Sequence, residues 1–245
     1  MKRKINFFRL LILISLTIGY LVISGFAKRK LKGSTIDHIA IDIERYHDKY
    51  LISKDEILKL SLIEVQKSKS LDRKSINIKL LEEILDKQKS IEKSEIFFTL
   101  NGELHIQVKP RNPLLRVLNS NNNYYIDNHC VAFPLSPYYS AQVPVIDGAI
   151  NEEILEKIVS LLQKAEGDDF FNHFFSGFFV SERHEITAFS TIYDEVIFFG
   201  KSEQLEEKLL RLKAFYRYIY PTLENKKIKT INLTFGKQVI CAYEQ

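Results

Sequence analysis

SEIFFTLNGELHIQVKP, Ser94 to Pro110, decides how the first half of the chain folds. Apolar residues alternate at Ile96 and Phe98 and again at Leu104, Ile106 and Val108, the period-two pattern of two half-buried strands. Between them Asn101-Gly102 signals a hairpin. A two-residue turn would pair Leu100 with Glu103 and set the two apolar series on opposite faces. A three-residue loop of Leu100, Asn101 and Gly102, with Gly102 in the left-handed conformation, instead pairs Phe98 with Leu104 and Ile96 with Ile106. Only this second register gives the hairpin one apolar face.

Working toward the N terminus, Leu81, Ile84 and Leu85 share a face of a predicted helix. Before it, beyond a polar Lys/Ser stretch, Ser53-Lys54-Asp55-Glu56 reads as a capping box ahead of Ile57, Leu60 and Ile63. IDHIAIDIE then reads as a strand with Ile39, Ile41 and Ile43 on one side. The unit is strand, helix, helix, strand, strand, and Pro110 and Pro113 close it.

Ahead of that unit runs LLILISLTIGYLVISGFA, Leu10 to Ala27, without a charge. As a helix it would cover about 27 Å, close to the roughly 30 Å hydrocarbon core of a bilayer. A membrane helix at 10–27 is therefore expected, after a basic head at 1–9 and before a linker at 28–35. The competing reading is a cleaved signal peptide, because Gly25 and Ala27 form a small-x-small site. The basic cluster Lys28, Arg29, Lys30 and Lys32 just beyond that site opposes translocation. Basic residues flank the segment on both sides, so the positive-inside rule leaves its orientation open.

The same residues make the net charge misleading. Residues 1 to 32 hold eight Lys and Arg and no acid, and removing them from the formal +4 leaves −4 for the remainder. A phosphate-binding footprint on the body is not indicated. With 45% hydrophobic and 27% charged residues the whole chain has ordinary globular composition and can bury a core.

After Leu114 the sequence is mostly strands: LLRVL, the turn SNNN, YYI, the turn DNH and CVAF, then a proline-bearing loop ending in VPVIDG. Asn151 caps a helix with the stripe Ile154, Ile158, Leu161 and Leu162, ended by Gly167. DDFFNHFFSGFFV packs six phenylalanines and reads as core rather than as an aromatic ligand pocket. Strands recur at EITAFS and EVIFFG. A helix from about Ser202 carries Leu205, Leu209, Leu212, Tyr216 and Ile219 and stops at Pro221. The class is α+β, with a mostly antiparallel β domain over 113–245 and two or more packed helices.

Two features offer chemistry. Asp127, His129 and Cys130 fall within four positions, but once Cys130 begins a strand its neighbour His129 faces away, and a Cys-His dyad needs both groups in reach. Asp127 has an ordinary use, accepting the N–H two residues on in a turn where Asn128 or His129 takes positive φ. Cys130 and Cys241 are too few for a disulfide framework, and Arg183-His184-Glu185 lacks the spacing of a zinc helix. No catalytic residue, metal or cofactor is expected.

The second feature is the terminal hairpin, KTINLTF and QVICAYEQ about Gly236-Lys237. A two-residue turn there pairs Leu233 with Ile240, Ile231 with Ala242, Thr234 with Val239 and Asn232 with Cys241. Val239 to Tyr243 contains no charge and no proline, and one strand of the last hairpin is expected at the sheet edge, where it can recruit a partner strand or be covered by the chain's own helices.

The succession of basic head, apolar segment, strand-helix-helix-strand-strand unit and strand-rich domain resembles the bacterial cell-division family FtsQ, also called DivIB. GELHIQVKPRNPLLRV, Tyr125-Ile126-Asp127, Val131-Ala132-Phe133, VPVIDG, Val196 to Gly200 and INLTFGKQV resemble that family's segments in order and spacing. Two departures stand out: the family's turn glycine after Asp127 is missing, and Asn232 and Thr234 replace the terminal Asp and Arg. The resemblance implies a POTRA domain over 36–112 and an FtsQ-like β domain beyond it. It also implies a cytoplasmic N terminus, an extracytoplasmic body at the division septum and no enzymatic activity. The implied partners are FtsB and FtsL, and through them the septal synthases FtsW and FtsI. Carried onto this sequence, the FtsB contact falls on Ile231, Asn232, Leu233, Thr234 and Phe235 and on Val239, Ile240, Cys241, Ala242 and Tyr243, by strand addition. The alternatives are another POTRA-bearing envelope assembly or secretion factor, or a Cys-dependent extracytoplasmic hydrolase.

Overall fold

A computed structural model describes residues 7–31, 38–67, 76–100, 102–118, 122–223 and 227–243. The first six residues of the basic head, the linker from residue 32, the Lys/Ser stretch at 68–75, Asn101 and residues 119–121, which open the SNNN turn, lie outside these. The chain divides into two units, Met1–Arg45 with Ile52–Pro110, and Tyr46–Leu51 with Arg111–Gln245.

In the first unit the elements are α1 (Phe7–Leu31), β1 (Ile39–Ile43), α2 (Lys54–Lys67), α3 (Ile78–Asp86), β2 (Ile91–Phe98) and β3 (Leu104–Pro110). The sheet order is β1-β3-β2, with β1 parallel and β2 antiparallel to β3. The hairpin takes the three-residue loop: Ile96 faces Ile106, Phe98 faces Leu104, the Thr99 N–H donates to Glu103 O and Gly102 stands at φ +93. A strand register is fixed by which face must be dry, and here that requirement chose the loop length. Asn77 caps α3 by accepting the Leu80 N–H at 3.1 Å, and Ser53 caps α2 by accepting that of Glu56 at 3.1 Å. Leu81 and Leu85 of α3 pack with Ile57, Ile96, Leu104 and Ile106, while Ile84 is half-buried at the margin and the side chain of Ile63 is not described.

In α1 the described side chains run from residue 12 to 24, and most of the large apolar ones there are exposed. Among the described residues no helix is long and apolar enough to cross a membrane. The charge-free run Leu10 to Ala27 extends past both ends of that described stretch.

The second unit is a nine-stranded mixed sheet. Its strands are β4 (Leu115–Val117), β5 (Tyr124–Ile126), β6 (Ala132–Pro134), β7 (Val145–Gly148), β8 (Phe175–Val180), β9 (Ile186–Ser190), β10 (Val196–Gly200), β11 (Ile228–Asn232) and β12 (Ile240–Tyr243). They lie in the order β12-β11-β10-β9-β8-β7-β4-β5-β6. Three pairings are parallel, β4 with β7, β7 with β8 and β10 with β11. Parallel neighbours need a crossover, and two of these are supplied by α4 (Glu152–Glu166) between β7 and β8 and α5 (Leu205–Ala214) between β10 and β11. The other five of the eight pairings are antiparallel, so the sheet is mostly antiparallel, as expected.

Ile154, Ile158, Leu161 and Leu162 of α4 share one core with Leu205, Leu209 and Leu212 of α5 and with Phe171, Phe174, Phe175, Phe178 and Phe199. The phenylalanine run is thus packing material, with edge-to-face rings at Phe171–Phe174 and Phe174–Phe175. Asn151 caps α4, its Oδ1 accepting the Ile154 N–H at 2.8 Å. Replacing it with alanine should lower the stability of this unit by about 1 kcal/mol in urea denaturation.

Three local expectations need correction. Cys130 does not open a strand: it lies in the turn at φ +59, so the positive φ falls on Cys130 rather than on Asn128 or His129, and β6 starts at Ala132. The last helix does not run on as α-helix: after Ala214 it widens into a π-helical turn, Phe215–Ile219, succeeded by a 3-10 turn at Tyr220–Thr222. The added residue rotates the end of the helix, so Tyr216 stays buried while Ile219 turns outward at 50% exposure and Tyr220 packs on the core in its place. The terminal hairpin is displaced by one residue: Asn232 faces Ile240, Ile231 faces Cys241 and Thr230 faces Ala242. The reason is burial. Ile231 and Leu233 are fully buried, and this register puts Cys241 and Val239, which both pack on the core, on the same face.

Candidate functional site

β12 lies at one end of the large sheet and has one strand neighbour, β11. A strand edge leaves main-chain donors and acceptors unpaired, and proteins ordinarily blunt it with charge, proline or a covering group. The other edges here are treated in that way. β6 is three residues long and ends in Pro134, and β1 carries Asp42. On β2 the carboxylates of α3 cover the edge, Asp86 accepting the Ser94 N–H at 2.8 Å and Glu82 that of Ile96 at 2.9 Å. β12, Ile-Cys-Ala-Tyr, has neither charge nor proline, and among the described residues no side chain hydrogen-bonds to the main chain of Ile240, Cys241 or Ala242.

Apolar side chains stand on both faces of this edge. Residues opposite one another in a sheet share a face, and the pairings run Phe179, Thr187, Phe198, Asn232, Ile240 from β8 to β12. Phe198 and Ile240 on that row are 37% and 45% exposed. On the opposite face Val239, Cys241 and Tyr243 border a cavity of about 570 Å³, lined across from them by Ala214, Phe215, Tyr218 and Ile219 of the last helix and by the cationic Arg211 and Lys237. The outward turn of Ile219 that the π-helix produces helps build this wall.

The ten residues expected to meet a partner separate into two groups. Ile231 and Leu233 are core residues, and β11 is already paired on both sides, with β10 and β12. Asn232 and Thr234 satisfy each other: Asn232 Oδ1 accepts the Thr234 N–H at 2.9 Å and its hydroxyl at 2.6 Å, a local turn that ends β11. Phe235 and, on β12, Ile240, Ala242 and Tyr243 are exposed, while Cys241 is half-buried and Val239 packs on the core. Sequence reading missed Tyr218 and Ile219 beside this edge, because the FYRYI stretch read equally well as core.

The turn at Asp127 is structural. Its buried carboxylate accepts the N–H groups of His129 and Val131 at 2.9 and 2.8 Å and pairs with Arg111 at 2.6 Å. His129 is exposed at the turn, and Cys130 sits in the same turn at positive φ rather than on a strand. Burial pushes the Cys130 thiol above its ordinary value, and Glu156 and Asp127 add to the effect; burial does the same at Cys241. Both cysteines are free, and a raised thiol is the opposite of an activated nucleophile. Among the described residues no group of His, Cys, Asp and Glu could hold a metal ion.

No curated protein matches the chain. The family model described as "FtsQ/DivIB, C-terminal related" matches residues 112–242, which takes in β4 through most of β12 and more than half of the sequence. That match spans the large sheet, both of its packed helices and the open edge, and it makes a division-associated role the expectation for the chain. By that match, the chain belongs to the FtsQ/DivIB, C-terminal related, family.

Proposed function

We propose that the protein is a membrane-anchored, non-enzymatic scaffold of the bacterial division machinery that captures a partner by adding its strand to β12. The observation that carries this reading is the edge itself. It is the last strand of the sheet, free of charge and proline, and flanked on both faces by apolar side chains, whereas the edges of β2 and β6 are covered or shortened. An added strand would satisfy the unpaired main chain and flank Ile240 on one side and Tyr243 and the Tyr218 and Ile219 wall on the other. FtsB- and FtsL-like proteins are the partners this family membership favours, with FtsW- and FtsI-like synthases reached through them.

The anchor is α1. Leu10 to Ala27 is uncharged and apolar on all sides, and a helix of that kind needs lipid or a protein core around it. The strand-helix-helix-strand-strand unit next in the chain supports a POTRA-like domain over 36–112, with the β domain beyond it. The body lies outside the cytoplasm in this reading and the basic head inside. Depletion of the protein should give filamentous cells, with FtsB- and FtsL-like proteins copurifying from membranes of undepleted cells. Normal septation after depletion would reject the reading.

A further inference from the structure

The hairpin that ends in β12 is not held by a tight turn. Its strands stop pairing at Asn232 and Ile240, and the connection runs from Leu233 to Val239. Hairpin loops are usually about two to five residues long, and it is the short ones that dictate register. Inside this loop one main-chain bond closes a turn, the Gln238 N–H donating to Phe235 O at 2.9 Å.

Leu233 N–H donates to Phe198 O and Asn232 holds Thr234, and one side chain from outside bridges the two arms of the loop. Arg211 of α5 donates to Leu233 O at 3.0 Å through one terminal nitrogen. Through the other it donates to Gln238 O at 3.0 Å and Phe235 O at 3.4 Å. The three carbonyls come from the end of the β11 arm, the turn and the start of the β12 arm. Arg211 makes no ion pair among the described residues, so its charge is directed at these carbonyls. A guanidinium offers five donors in a fixed plane and can bridge both arms, whereas a lysine ammonium is a single point of attachment. The helix that carries Arg211 is itself anchored in the core by Leu209 and Leu212 on either side of it.

We propose that Arg211 is a positioning residue that sets the register of β12 against β11, and thereby the edge that a partner strand meets. This inference rests on the reading of β12 as a capture edge, but the latch can be tested without a partner. Without Arg211 only the packing of Val239 and Cys241 on the core holds β12 in place against β11, and a slip of one residue would carry Ile240 and Ala242 to the helix side and Cys241 to the open side.

The full-length protein is compared as parent, Arg211→Ala and Arg211→Lys, by hydrogen exchange of the Ile240–Tyr243 amides. Capture is measured by copurification of the coexpressed FtsB- and FtsL-like proteins from the same cell. Arg211→Ala should speed exchange in β12 by about ten- to a hundredfold, with α4 exchange unchanged, and lower capture at least about tenfold. Arg211→Lys keeps the charge and should lose most of the capture. A disulfide between Thr230→Cys and Ala242→Cys, which stand opposite each other, should restore capture to Arg211→Ala by pinning the register covalently. Unchanged β12 exchange in Arg211→Ala, parental capture by Arg211→Lys, or no recovery with the disulfide would each overturn the proposal. If the parent itself captures neither protein, the capture reading fails, and the exchange comparison alone decides whether Arg211 is the latch.

Discussion

Ile240→Pro should abolish partner capture while the protein still reaches the membrane and folds. Proline removes an amide hydrogen and fixes φ near −65°, away from the extended values of a strand. At Ile240, the first residue of β12, the lost amide either served the pairing with Asn232 or faced the open side. In both cases the ladder on which a new strand would build is interrupted at its start. The side chain is 45% exposed, so its loss leaves no core cavity. Copurified FtsB- and FtsL-like protein should fall at least about tenfold, equivalent to about 1.4 kcal/mol of binding. Leu233, although on the same hairpin, is a poorer place for this test. It is buried and donates its N–H to Phe198 O at 2.9 Å, so proline there would damage the sheet and the core together.

Asp127→Ala should destabilise the second unit by about 3–5 kcal/mol, the usual consequence of removing one member of a buried ion pair. The side chain of Asp127 is 2% exposed and that of Arg111 15%. Besides that pair, the carboxylate takes the N–H groups of His129 and Val131, so the substitution strips two turn donors of their acceptor as well. The turn also meets α4, where Gln163 Nε2 donates to Asn128 O at 2.7 Å. Hydrogen exchange should therefore rise in β5, β6 and α4 while the first unit keeps its protection. Parental exchange across β5 and β6 would show that the pair contributes little.

The sequence carried more of the fold than of the site. Elements whose apolar residues obey one period were legible: the β2-β3 hairpin comes down to a single question, which loop length puts Ile96, Phe98, Leu104 and Ile106 on one face. Caps at Ser53, Asn77 and Asn151 have local causes within about four residues, and Ser53 and Asn151 could be read directly. The features that escaped depend on partners distant in sequence. The register of the last hairpin is settled by the core under Ile231 and by a guanidinium on another helix, and neither is visible in the residues of the turn. The π-helical turn adds one residue to a helix whose sequence keeps its regular spacing, so the outward face of Ile219 could not be anticipated. At the candidate site, charge-free residues identified the open strand, but the split between core residues, Ile231 and Leu233, and exposed ones, Ile240 and Ala242, required the register.

The most direct test of the central claim places a photo-crosslinking amino acid at Ala242, which is exposed on β12, in the full-length protein in growing cells. Capture by strand addition predicts an adduct with the FtsB-like protein from this position. It predicts that Ile240→Pro removes the adduct and that a probe at Glu152, at the start of α4, gives none. An adduct that forms from Glu152 but not from Ala242 would contradict the assignment of the edge.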